Sequence, residues 1–110
     1  MAPQQPPKPI RSLREDDVEV EVQIDEFIAR LGETIDDLQD LEAASDPDAL
    51  RRRVLALAAE ATELGYPSLA NAAERIASAC GEQNPEAVRK GVVDLTETSQ
   101  RVRRGHRSAA

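Results

Sequence analysis

Apolar residues follow two rhythms along this chain. Val18, Val20, Val22 and Ile24 alternate with charged or polar residues, as in a half-buried strand, before a helical period takes over. Ile24, Phe27, Ile28, Leu31, Ile35, Leu38 and Leu41 recur at steps of three and four, and Val20 extends that stripe backwards. One long amphipathic helix from Glu15 to Ala44 therefore explains more positions than a strand followed by a helix. Gly32 in its middle weakens it by about 1 kcal/mol relative to alanine, enough for a bend at most. The segment Ser45-Asp46-Pro47-Asp48 then reads as stop and restart, because Asp46 can accept from exposed helix amides and Pro47 fits the first turn without losing a hydrogen bond.

The second helix carries Leu50, Val54, Leu57, Ala58, Ala61 and Leu64 on its apolar stripe, and Gly65 is placed to end it in a left-handed turn. Tyr66-Pro67-Ser68 opens a third helix with Leu69, Ala72, Ala73, Ile76 and Cys80 inward. Residues Gly81 to Asn84 close it. Asn84-Pro85-Glu86 repeats the cap, proline and acid order for a fourth helix through about Arg104, striped by Val88, Val92, Leu95 and Val102. Short connections between four amphipathic segments predict antiparallel neighbours, hence an all-α, up-down-up-down four-helix bundle over residues 15–105. Met1 to Pro9 holds four prolines, so residues 1–14 are expected to form a disordered arm, and residues 106–110 a flexible tail.

Composition narrows the core and the chemistry. One Phe, one Tyr and no Trp leave alanine and leucine to fill the interior, which suits closely packed helices better than a sheet sandwich. The net charge of −7 is segregated: −13 over residues 15–48, +3 over 49–110 and +3 over 1–14. Without a continuous basic face or stacking aromatics, no nucleic-acid partner is expected. Cys80 has no second cysteine to pair with and lies in an alanine-rich run that reads as buried. His106, in the sequence RVRRGHRSAA, has no Cys, Asp or Glu at ligand spacing, so neither a metal nor another cofactor is expected. The chain lacks the roughly 18–20 apolar residues of a membrane span, which makes the cytosol the expected compartment and excludes a membrane partner.

The stretch from Arg51 to Pro67, RRRVLALAAEATELGYP, followed by SLANAAERIASA, resembles the histidine-containing phosphotransfer (Hpt) domain of bacterial two-component phosphorelays. That family places a reactive histidine on the second long helix of a four-helix bundle, in a pattern of the form His-x-Leu-Lys-Gly, ahead of a glycine turn and a small-residue helix. Counting back from Gly65 sets Leu55 at the phosphoacceptor position, and the packing leucine of the pattern matches Leu57. The family's lysine falls on Ala58 and its glycine on Ala59.

At about 100° per residue, Leu55 and Ala59 turn away from the apolar stripe together with Arg51, Arg52 and Thr62. Leucine has no lone pair with which to form a phosphoramidate, so the resemblance implies a protein that is not an enzyme and does not relay phosphate. What it implies instead is a docking face of Arg51, Arg52, Leu55, Ala58, Ala59 and Thr62 for a response-regulator receiver domain or a sensor kinase. The same face and the acidic first helix could instead join two copies of the chain into a homodimer of structural role. A third reading, active phosphotransfer, would require recruiting His106.

Overall fold

A computed structural model describes residues 8–109. The described chain is all-α, with four helices and no strand: α1 (Glu21–Ala43), α2 (Pro47–Glu63), α3 (Pro67–Gly81) and α4 (Pro85–Ala109). Each helix contacts its neighbours in a closed ring, α1 with α2, α2 with α3, α3 with α4 and α4 with α1, and the diagonal pairs do not meet. Leu31, Leu38, Leu50, Val54, Leu69, Ile76, Leu95 and Val102 fill the space they enclose. Alanine dominates α3, where Ala70, Ala72, Ala73, Ala77 and Ala79 are all buried, so neighbouring helices can approach closely. The only two aromatic residues of the sequence meet in this core, with the rings of Phe27 and Tyr66 stacked at a centroid distance of 6.0 Å.

The three turns repeat one device. After each of the first three helices a residue takes positive φ: Ser45 at 54°, Gly65 at 85° and Gln83 at 55°. The next amide reaches back five residues, Asp46 to Leu41 at 3.1 Å, Tyr66 to Ala61 at 2.8 Å and Asn84 to Ala79 at 3.1 Å, which satisfies a carbonyl at the helix end. That donor residue is followed by proline at the first position of the next helix. Asp46 and Asn84 also accept from the amides of Ala49 and Ala87, each at 3.2 Å, as the cap pattern predicts. Helix α3 ends at Gly81, within the expected Gly81–Asn84 closure, and Gln83 rather than a glycine takes the left-handed position. A side chain there is unfavourable by about 1 kcal/mol, so S45G and Q83G are each expected to stabilise the chain by about 0.5–1 kcal/mol in denaturant melts.

The N-terminal expectations change most. Helix α1 begins at Glu21 rather than Glu15, because Asp17 accepts from the Glu19 amide at 3.0 Å and diverts the backbone into turns. The Arg14 guanidinium, 2.7 Å from the Asp17 carboxylate, helps hold that carboxyl below its ordinary pKa. Of the expected disordered arm, residues 1–7 lie outside the described residues, but residues 8–14 form a strap against the bundle. Its Ile10 amide donates to the Arg101 carbonyl at 3.0 Å, and Leu13 donates to Gly65 at 2.8 Å. The buried Ser12 hydroxyl donates to the Leu64 carbonyl, and Arg14 reaches the Glu63 carbonyl at 2.9 Å, so the strap caps the C-terminus of α2. Nor is His106 in a tail, because α4 continues through Ala109.

Candidate docking surface

Helix α2 packs against both α1 and α3, and its outward side divides in two. On the flank toward α1, Arg53 meets Asp37 at 3.1 Å and Glu60 meets Arg30 at 3.2 Å. These pairs are solvent-exposed, so each contributes under about 1 kcal/mol, and they act chiefly by occupying charge. The other side carries Arg51, Arg52, Leu55, Ala59 and Thr62, all exposed. Leu55 is 44% exposed, a large apolar side chain standing among arginines. Neither Arg51 nor Arg52 forms an ion pair among the described residues.

One residue leaves the expected face. Ala58 is only 4% exposed and belongs to the core. It lies at the edge of the apolar stripe, where the small side chains of α3 let that helix close over it. The surface available to a partner is therefore Arg51, Arg52, Leu55, Ala59 and Thr62, an apolar spot beside two cations that form no ion pair among the described residues.

No reactive group stands on this face. Cys80 is buried, and that burial pushes its thiol pKa up, with the Arg51 charge opposing the shift. His106 is part of a different site, where its Nε2 lies 3.1 Å from Asp25 Oδ1. With Arg11, Ser12, Glu15, Glu21, Ile24, Tyr66 and Gly105, these two residues line a cleft of about 310 Å³ that includes none of the α2 docking residues. Sequence reasoning missed this cleft. The only available signal was that His106 falls one helical turn beyond Val102.

A second cavity, of about 350 Å³, opens between the α1–α2 and α3–α4 turns and is lined by Leu41, Leu50, Cys80 and Val88 among others. Among the described residues, no group of three or more His, Cys, Asp or Glu side chains is placed to hold a metal. No helix among them is long and apolar enough to cross a membrane. No family model matches the sequence, and no curated protein or solved structure is significantly similar to it.

Proposed function

We propose that this chain is an Hpt-like, up-down-up-down bundle that binds a receiver domain or a sensor kinase through α2 without exchanging phosphate. The observation that carries this reading is the exposed Leu55, standing where the resemblance sets the histidine and rimmed by Arg51 and Arg52, which form no ion pair among the described residues. A receiver's active cleft is rimmed by carboxylates, which complement the two guanidiniums, while Leu55 and Ala59 offer an apolar centre small enough to enter it. Phosphoryl transfer needs a nucleophile on that face, and leucine supplies none.

Calorimetric titration against receiver domains from the same genome tests the proposal. One receiver should bind saturably, and R51E/R52E should weaken it about 100-fold, since reversing two rim charges sets like charges against each other. A phosphorylated receiver should leave no acid-labile phosphate on the chain. If no receiver or kinase binds, or if R51E/R52E binds as tightly as the parent, the proposal is wrong.

A further inference from the structure

The cleft beneath the strap has a chemistry unrelated to the α2 face. Its floor is Tyr66, whose ring is held against Phe27. Tyr66 is 1% exposed, yet its hydroxyl forms no hydrogen bond with any described residue. No buried side-chain polar atom in the described structure is both sealed from solvent and unbonded, so this hydroxyl reaches the cleft. Glu15 and Asp25, on the cleft walls, both act electrostatically on the phenol. Together with burial, the larger cause, they push its pKa up to about 12, so it stays a neutral donor and acceptor.

The walls hold three carboxylates, Glu15, Glu21 and Asp25, against one guanidinium, Arg11. Arg11 is spent on Glu15 at 2.8 Å, and the His106 imidazole faces Asp25 at 3.1 Å. Glu21 has no ion-pair partner among the described residues. The Ser12 hydroxyl is already satisfied, donating to Leu64 and accepting from the Arg14 amide at 2.9 Å. An anion would meet net negative charge here, and a purely apolar guest would leave the phenol unpaired.

The geometry points to a binding site for a small organic cation, an ammonium or guanidinium group on a short aliphatic stem, held by Glu21 and Asp25 with the Tyr66 hydroxyl as hydrogen-bond acceptor. The volume of about 310 Å³ is ample for such a group and its stem. The same head group occurs on free polyamines and on the lysine or arginine side chains of a peptide.

Agmatine and a capped Gly-Gly-Arg-Gly-Gly peptide, titrated separately into the isotope-labelled full chain at low salt and followed by NMR, distinguish those sources. Saturable shifts confined to the amides of Ser12, Glu21, Asp25, Tyr66 and His106 are expected for at least one probe. The uncharged 1,4-butanediol should produce none. Glu21 is exposed and makes no structural ion pair, so E21Q should fold normally and weaken binding several-fold, and E21Q/D25N at least about tenfold. Y66F, which keeps the ring, should weaken it to a lesser degree. Absence of saturation by either probe below about 10 mM would overturn the site, as would equal shifts from butanediol or unchanged affinity in E21Q/D25N.

Discussion

Replacing Phe27 by alanine is expected to destabilise the chain by about 4 kcal/mol and to lower its melting temperature by about 15 °C or more, as read by circular dichroism. The large effect follows from the thinness of the rest of the core. Phe27 is buried, and the side chains around it are mainly leucine, valine, isoleucine and alanine, which cannot expand to fill an aromatic-sized hole. The lost ring also removes the stacking partner of Tyr66 at 6.0 Å. Comparing F27A, Y66A and the double variant should give a coupling of about 0.5–1.5 kcal/mol, the usual range for an aromatic pair. Strictly additive losses would mean that the two rings pack independently of each other.

The substitution G65A is expected to cost about 3 kcal/mol in urea unfolding, several times the effect of a typical glycine-to-alanine change. Two penalties combine. The φ of 85° is strained for any residue with a Cβ, by about 1–2 kcal/mol. A Cβ at that position would also stand 2.7 Å from Ser12 Oγ and 2.9 Å from the Leu13 and Arg14 amides, so the strap would have to lift away from the end of α2. Loss of protection from hydrogen exchange at Leu13 and Arg14 would identify the second penalty. If those amides stay protected, the strain is confined to the turn.

The signals that could be read in the sequence are those that act over a few residues. Proline at a helix start, Asp46 and Asn84 as caps and the left-handed Gly65 fix the limits of α2 and α3 and the start of α4, because each satisfies backbone groups within one turn. The start of α1 was hidden. Val18 and Val22 keep helical spacing, and only the Asp17 turn and the docking of residues 8–14 reveal that they stay exposed outside the core. Those contacts join residues far apart in the sequence, such as Ile10 with Arg101, so no local pattern announces them.

The end of α4 was hidden for the same reason: the helix runs past Arg104 to Ala109, and Gly105 sits inside it, where a Cβ would fall on the Ile10 carbonyl. Ala58 was ambiguous in principle, because an alanine at the edge of a stripe is buried or exposed according to how closely the next helix approaches.

The strap also sets an order of events for folding. Helices joined by three-residue turns form contacts between near neighbours in sequence, and such contacts close quickly because little chain entropy is lost. Closing α1 onto α4 and pairing Ile10 with Arg101 both enclose far longer loops, and the strap, whose partners lie at the end of α2 and on α4, docks once those helices are in place. Changes at Ser12 or Gly105 should therefore leave the folding rate nearly unchanged and accelerate unfolding instead. In this protein the last segment to settle is translated before the helices it fastens, and it is the latch that governs how long the folded state survives.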